Sequence, residues 1–184
     1  QKIPQLLDIV HKNISEKSRK FILTGSSARK LKRGGANMLA GRAFVYNLFP
    51  LTSSELGIDF VLKDVLKWGS LPGMYAFRND DDKAEFLRSY ALTYITQEIT
   101  EEQVVRKLEP FRKFLFVAAQ MNGKVINYSK IGREVGTNPN NVISYFQILE
   151  DTLLGFLLEP YHTSVRKGLS SSPKFYFFDT GVLR

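Results

Sequence analysis

The chain has 184 residues, no cysteine, and a formal net charge of +8 from 26 Lys and Arg against 18 Asp and Glu. The missing thiols exclude disulfides, thiolate metal sites and cysteine nucleophiles, and His11 and His162 stand too far apart in sequence to indicate a metal centre. No apolar run reaches the roughly 18 to 20 residues of a membrane span and no signal peptide opens the sequence, so we expect a soluble, cytoplasmic protein without membrane contact.

The first predicted elements are an amphipathic helix and a short buried strand. Pro4 suits a first helical turn, and the helix is predicted to end near Ser15 because apolar residues recur at helical spacing at Leu6, Leu7, Val10 and Ile14. The unbroken apolar run at residues 21–23 predicts a strand of the kind that helices cover on both faces. A helix followed by such a strand is typical of an α/β sheet.

Small hydroxyl side chains follow this strand, at Thr24 and Ser26. The carboxyl end of a strand in an open α/β sheet borders the ligand crevice, so both hydroxyls are placed to hydrogen-bond a phosphate or its attacking water. Thr, Gly and Ser that leave a strand also form plain turns and helix N-caps, and spacing alone does not separate the two interpretations.

The densest basic cluster comes next and precedes a second strand. The cluster favours an anionic partner or a solvated basic face, and consists of Arg29, Lys30, Lys32 and Arg33. Alternating apolar residues predict a strand at residues 43–48, with Arg42 at its start. An arginine fixed there can reach a phosphate in a neighbouring subunit, as an arginine finger does, or close a local salt bridge.

Helix start and stop signals follow in the next forty residues. Thr52 and Glu55 have the spacing of a capping box. The helix that this capping box starts is predicted to continue through Trp68, where Gly69 ends it. The aspartates at residues 80–82 are predicted to precede a long helix over residues 83–99. Three consecutive side chains point in different directions, so these aspartates do not predict a metal site.

Two further helices and a turn lead to a helix-turn-helix pattern. A helix is predicted to begin at Thr100 and to be broken by Pro110, and the next one to stop at Gly123. Ser129 is the predicted N-cap of a short helix, and after a turn Asn138 and Pro139 open a helix to about residue 151. This is the spacing of a helix-turn-helix.

A predicted wing completes a winged helix. Strand-like residues 155–160 and 174–178 flank a basic turn that contains Arg166 and Lys167. On the second helix of the helix-turn-helix, the residues predicted to face inward are Val142, Phe146 and Leu149. The outward amide and hydroxyl side chains, which can read base edges in a major groove, are Asn140, Asn141, Ser144 and Gln147.

The second helix of the helix-turn-helix contains no Lys or Arg, so it has no cation with which to contact a DNA phosphate. Phosphate contacts supply most of the affinity for DNA, so they have to come from flanking residues, namely Lys124, Lys130, Arg133, Arg166 and Lys167. Helix-turn-helix modules also contact proteins. Both DNA binding and protein contact therefore stay open.

Four loose motifs occur in order along the chain: LTGSSARKL, LAGR, FPLTSSEL and SPKFYFFDTGVL. With them the chain resembles, over nearly its whole length, a prokaryotic family of AAA-type P-loop ATPases. The resemblance implies a nucleotide-binding domain followed by a helical lid, a winged helix, and a C-terminal domain of uncharacterised function with a nuclease-like fold.

The resemblance also implies roles for single residues. Ser26 and Thr24 become candidates for sensing the nucleotide phosphate, and Arg42, just before the last core strand, becomes the arginine-finger candidate. Gly69 and Pro72 fall on the family's Gly-Gly-aromatic-Pro segment, where the backbone approaches the nucleotide. A serine replaces the second glycine of that segment here.

The phosphate-binding loop of such ATPases, GxxxxGK[ST], does not occur in this sequence. The resemblance places residue 1 just after the acidic pair that holds magnesium. We therefore expect ATP and magnesium as cofactors of an intact parent protein and none for this chain alone. No nuclease-type carboxylate arrangement is visible in the sequence, and Asp179 is predicted to be the N-cap of a following helix.

Together these expectations predict an α/β remnant, the back half of a P-loop nucleotide-binding domain, followed by an α-helical lid and an α+β winged helix. The predicted parts are residues 1–58, 59–109, 110–170 and 171–184, the last starting a truncated C-terminal domain. The predicted function is a portion of an AAA-type ATPase that couples nucleotide state to nucleic-acid or protein interaction, in a possible homo-oligomer. The alternative is a non-enzymatic winged-helix module that binds DNA or protein.

Overall fold

The computed structural model describes residues 6–17, 19–25, 44, 46–91, 108–161 and 172–183. The chain divides into two compact units, Gln1–Leu48 and Phe49–Arg184. The first unit contains helix α1, Leu6–Lys17. The second contains α2 (Ser53–Leu56), α3 (Leu62–Trp68), α4 (Asp80–Ser89), α5 (Leu108–Gln120), α6 (Tyr128–Val135), α7 (Pro139–Asp151), β1 (Gly155–Leu158) and β2 (Lys174–Phe177).

Helix α1 confirms the predicted amphipathic helix, with Val10 buried, but it ends at Lys17 rather than near Ser15. A lysine in the last turn interacts favourably with the negative end of the helix dipole, which suits a longer helix. The helical pattern of apolar residues stops at Ile14, so it could not indicate the last polar turn. Pro4 lies outside the described residues.

The strand predicted at residues 21–23 is wrong, because this segment has irregular backbone and belongs to no strand. Ile22 is 93% exposed, whereas the sequence pattern predicted burial on both faces. An apolar run forms a strand only when a neighbouring strand accepts its backbone hydrogen bonds, and no described segment pairs with residues 21–23.

The second predicted strand, at residues 43–48, also differs from the structure. Its described members, Phe44 and residues 46–48, lie outside any strand, and the side chains of Phe44, Tyr46 and Leu48 are exposed. The alternation of apolar residues indicates which side chains a sheet would bury, but it supplies no partner strand.

The second unit begins with the predicted capping box. The Thr52 hydroxyl accepts the backbone N–H of Glu55 at 3.3 Å, and the Glu55 carboxylate accepts the Thr52 N–H at 2.8 Å. The single helix predicted from the capping box to Trp68 is wrong, because α2 ends at Leu56, a 3-10 helix spans Gly57–Asp59, and α3 starts only at Leu62. Gly69 ends α3 as expected, with φ +75°. A 3-10 helix spans Pro72–Ala76.

Helix α4 starts earlier than predicted, since the three aspartates form its first turn instead of preceding it. Asn79 is the N-cap, and its side-chain oxygen accepts the N–H of Asp82 at 2.7 Å. Negative side chains in a first turn are favourable because the helix dipole is positive there. A small apolar cluster holds α3, the 3-10 helix and α4 together and consists of Trp68, Leu71, Met74 and Leu87.

Helices α5, α6 and α7 and the two strands form the main core. Pro110 lies inside α5, so the predicted break before Phe111 is wrong. Pro110 is the third residue of the helix as described, and a first turn needs no N–H donor. Asn127, not Ser129, is the N-cap of α6, because the Asn127 side chain accepts the N–H of Lys130 at 2.9 Å.

The core of this region is aromatic. The rings of Phe114 and Phe146 meet edge to face with centroids 4.8 Å apart, and Phe146 lies 4.9 Å from Phe175 of β2. The inward positions predicted on α7 are confirmed, since Val142, Phe146 and Leu149 are fully buried. Helix α7 ends at Asp151, as predicted.

Strands β1 and β2 are antiparallel, and Phe156 pairs with Tyr176. Residue Val125 forms a further antiparallel bridge with Lys174. The strand stretches predicted at residues 155–160 and 174–178 are therefore present but shorter. None of the helices in the described part of the chain has the length and apolar character needed to cross a membrane.

Candidate nucleic-acid interface

A tight turn joins α6 to α7. Gly136 ends α6 in the left-handed conformation with φ +74°, which costs little only for glycine. The N–H of Thr137 donates to Gly132 O at 2.8 Å, and a Cβ on Gly132 would lie 2.8 Å from Thr137 O. Asn138 then caps α7 by accepting the N–H of Asn141 at 2.9 Å. The angle between the two helices is thus fixed by two glycines and one cap.

The outer face of α7 is polar and uncharged. The four side chains predicted to point outward are exposed, namely Asn140, Asn141, Ser144 and Gln147. Ile143 shares this outward side and is 38% exposed. Helix α7 therefore presents amide and hydroxyl groups to solvent, as its sequence predicted.

Two of these polar groups already have partners within the chain. The Asn141 amide donates to the Thr137 hydroxyl at 2.8 Å, and the Ser144 hydroxyl donates to Asn140 O at 3.1 Å. A donor that already makes an intramolecular bond gains less from a base edge, because one hydrogen bond replaces another. Asn140 and Gln147 are the more available of the four side chains.

The basic side chains that flank the helix pair are exposed but few. Lys124, Lys130 and Arg133 all reach solvent. Lys130 lies 4.0 Å from the Glu134 carboxylate, an exposed pair that contributes little to stability. Arg166 and Lys167 lie outside the described residues. The described part of the predicted DNA-binding set thus has three cations around an uncharged helix face.

The predicted nucleotide-sensing residues fall in the first unit. Thr24 is exposed on irregular backbone, and Ser26 and Arg42 lie outside the described residues. The roles of these three residues therefore stay predictions.

Gly69 and Pro72, predicted from the family resemblance to approach a nucleotide, belong to a tightly packed turn. The Gly69 N–H donates to Val65 O at 2.8 Å, and a Cβ on Gly69 would collide with the Asp179 carboxylate. Pro72 is the first residue of the 3-10 helix. Within the second unit, the backbone of this turn therefore packs against the Asp179 side chain, at the position where the resemblance predicts a nucleotide.

Asp179 is the residue whose position the sequence did not indicate. It accepts the Gly181 N–H at 2.8 Å at the start of the 3-10 helix Gly181–Leu183, and it is also buried and accepts the Ser70 N–H at 2.7 Å. Burial raises the pKa of the Asp179 carboxyl above its ordinary value, although these backbone hydrogen bonds act in the opposite direction. The only sequence signal was a glycine on each side of the contact, at Gly69 and Gly181.

The described residues contain no group of three or more potential metal ligands. Within the aspartates of α4, Asp80 forms an ion pair with Lys67 at 2.6 Å and Asp82 accepts the Asn79 amide at 2.8 Å. Two of the three carboxylates therefore have partners that stabilise the fold.

Comparisons with known proteins match both parts of the chain. Uncharacterised proteins of Mycobacterium bovis and Mycobacterium tuberculosis are each 24% identical over 185 residues, which is 100% of this chain and 42% of the relative. An uncharacterised protein of Haemophilus influenzae is 21% identical over 180 residues, which is 89% of this chain and 45% of that protein. The chain thus spans less than half the length of these relatives. No solved structure matches it.

Two domain families account for nearly all residues. Residues 1–57 match a family described as an AAA domain, which identifies this segment as an AAA-type, ATPase-like portion. Residues 60–184 match a family described as a domain of unknown function, DUF8612. Because this second match covers well over half of the chain, the chain belongs to the DUF8612 domain family.

Proposed function

We propose that the chain is a portion of an AAA-type ATP-hydrolysing protein in which residues 110–170 form a winged-helix module that contacts nucleic acid. In this proposal the longer parent protein binds ATP and magnesium. Ser26 and Thr24 sense the phosphate, and Arg42 completes the site of a neighbouring subunit in a homo-oligomer. The match of residues 1–57 to an AAA domain is the observation that supports the ATPase part.

The winged-helix part rests on the order and packing of the elements. Helices α6 and α7 are joined by a turn of three residues, and the antiparallel pair β1–β2 follows directly. The exposed cations on and beside α6 favour an anionic partner. Phosphate contacts from Lys124, Lys130 and Arg133 fit this arrangement better than base reading, because α7 carries no cation.

The purified 184-residue chain is expected to hydrolyse no ATP above background. Its sequence contains no GxxxxGK[ST] loop, whose amides and lysine hold the nucleotide phosphates. A coupled assay of phosphate release measures this. Turnover that survives further purification and disappears on a substitution within these residues would contradict the expectation.

Removing the cations of α6 is expected to weaken all DNA sequences alike. For the double variant Lys130→Ala and Arg133→Ala, the slope of log affinity against log salt should fall by roughly one for each lost phosphate contact. Fluorescence anisotropy with several labelled duplexes over a range of salt concentrations measures both quantities. Asn140→Ala should change little, since an amide without a base contact has no specificity to lose.

The double variant Lys12→Ala and Lys17→Ala is the matched control, because it also removes two charges and both lysines are exposed on α1 in the other unit. An equal loss of DNA affinity in the control would mean that net charge alone, and not the position of the cations, sets the affinity. Sequence-selective binding that disappears in Asn140→Ala would overturn the phosphate-contact proposal.

The second candidate function is a non-enzymatic winged-helix module for DNA or protein contact. It is favoured by the uncharged outer face of α7 and by the acidic residues Glu150 and Asp151 at its end. The genomic sequence upstream of the codon for Gln1 separates the candidates. An in-frame phosphate-binding loop supports the ATPase, and a stop codon there supports the separate module.

A further inference from the structure

The strand pair carries an exposed apolar face on the side away from the core. Strands β1 and β2 and the turn at residues 122–126, which bridges to β2, contribute to it. Its members are Val125, Phe156, Leu158, Lys174 and Tyr176. We call this set the hairpin face. Its apolar members Val125, Phe156 and Leu158 are 56%, 51% and 52% exposed. Residues of the opposite strand face, such as Phe175 and Gly155, are buried.

The two aromatic rings of the hairpin face, Phe156 and Tyr176, stack on each other. The rings of Phe156 and Tyr176 are nearly parallel, at 18°, with centroids 5.5 Å apart. Behind Tyr176 lies Gly123, where an added Cβ would sit 3.5 Å from the tyrosine ring. Tyr176 is therefore packed between Gly123 and Phe156, whereas Phe156 remains half exposed.

The polar surroundings of this stack are basic. Lys174 is exposed and pairs across the sheet with Leu158 on one side and bridges to Val125 on the other. Lys124 is exposed next to that bridge. The acidic neighbour is Glu159, directly after β1. The hairpin face thus combines a supported aromatic ring with the positive charge of Lys174, and Lys124 adds a second cation beside it.

We propose that the hairpin face binds single-stranded nucleic acid, with a base stacked on Phe156 and the adjoining phosphate near Lys174. Every base has an apolar ring face that stacks on an aromatic side chain, and a lysine beside it attracts the backbone. In a duplex the base faces are covered by their neighbours, so this contact requires an unpaired strand. The inference deepens the proposed nucleic-acid function and names its substrate class.

The test compares a single strand with a duplex on the full 184-residue chain. A fluorescein-labelled oligothymidine and a duplex of mixed sequence and equal length are titrated with wild-type chain and with Phe156→Leu, which keeps an apolar side chain but removes the ring. The affinity for the single strand should fall about tenfold, within the usual range for one stacking contact, and duplex affinity should change little. Phe116→Leu is the matched control, because Phe116 is 66% exposed on α5.

Photocrosslinking locates the contact independently of affinity. An oligonucleotide with 5-iodouracil should crosslink to Phe156 or Tyr176, as peptide mapping by mass spectrometry would show. Crosslinks only elsewhere, together with unchanged single-strand affinity in Phe156→Leu, would overturn the proposal. Duplex binding without single-strand binding would overturn it while leaving the proposed function intact, and no binding to either would overturn both.

A protein occupant is the remaining outcome of the test. If the wild-type chain self-associates on size-exclusion chromatography with light scattering, and Phe156→Leu is monomeric, the hairpin face is an interface between copies and the proposal fails. Circular dichroism spectra of the two leucine variants should match the wild type, so that a loss of binding is not a loss of folding.

Discussion

Replacing Phe146 by alanine is expected to cost about 3 to 5 kcal/mol of unfolding free energy, the range for a phenylalanine removed from a closed core. Phe146 is fully buried on α7, and its ring contacts Phe114 of α5, Tyr128 of α6 and Phe175 of β2. One truncation therefore opens a cavity that four elements border. Since a domain of this size has only about 5 to 15 kcal/mol of stability, much of the variant should be unfolded under mild denaturant.

Urea denaturation followed by circular dichroism measures this loss. Phe116→Ala is the matched control, because it makes the same chemical change on α5 at a side chain that is 66% exposed. The control should stay within about 0.5 kcal/mol of the wild type. Equal losses in the two variants would show that α5, α6 and α7 do not share the core described above.

Replacing Asp179 by alanine is expected to cost about 2 to 4 kcal/mol, because the buried N–H groups of Ser70 and Gly181 both lose their acceptor. The loss of these two hydrogen bonds should detach the segment after β2 from the region of α3, which are two parts of the second unit. Residue Thr180 next to Asp179 donates to Val65 O at 2.6 Å, so the contact attaches the end of β2 to α3. Asp179→Asn should cost less, because its amide retains one acceptor oxygen.

The Asp179 contact also predicts a pH dependence. The pKa of the carboxyl is raised chiefly by burial, so the folded chain holds this proton more tightly than the unfolded chain does. As pH rises from the ordinary aspartate pKa through the raised value, the unfolded state loses its proton first, and the contribution of Asp179 to stability falls. Asp179→Asn cannot titrate, so the stability margin of the wild type over this variant should be largest at low pH and shrink as pH rises.

Urea denaturation of both chains between pH 3 and pH 8 measures that margin. Asp59→Asn is the control, because Asp59 is an exposed carboxylate in the same unit. A margin that grows with pH would mean that the backbone hydrogen bonds outweigh burial and lower the pKa. Hydrogen exchange at the Ser70 amide adds a local readout, and we expect faster exchange in both Asp179 variants.

Signals that act between residues close in sequence were sufficient to predict local structure. The capping box at Thr52, the stop at Gly69, and the α6–turn–α7 arrangement each depend on residues within a few positions of one another, and all are present. The inward positions of α7 were likewise set by helical period alone. The errors at helix starts, at Asn79 and Asn127, arose because more than one nearby residue can cap, and only backbone geometry selects one of them.

The sequence by itself determined the local elements of this protein, because caps, glycine stops and helical periodicity act through short-range sterics and hydrogen bonds. Only the tertiary structure decided whether residues 21–23 form a strand, since an extended segment depends on a partner that its own residues do not specify. Tertiary packing likewise decided the role of Asp179, which accepts a hydrogen bond from a residue 109 positions away. Contacts of such separation depend on how all the intervening elements pack, and no local pattern encodes that.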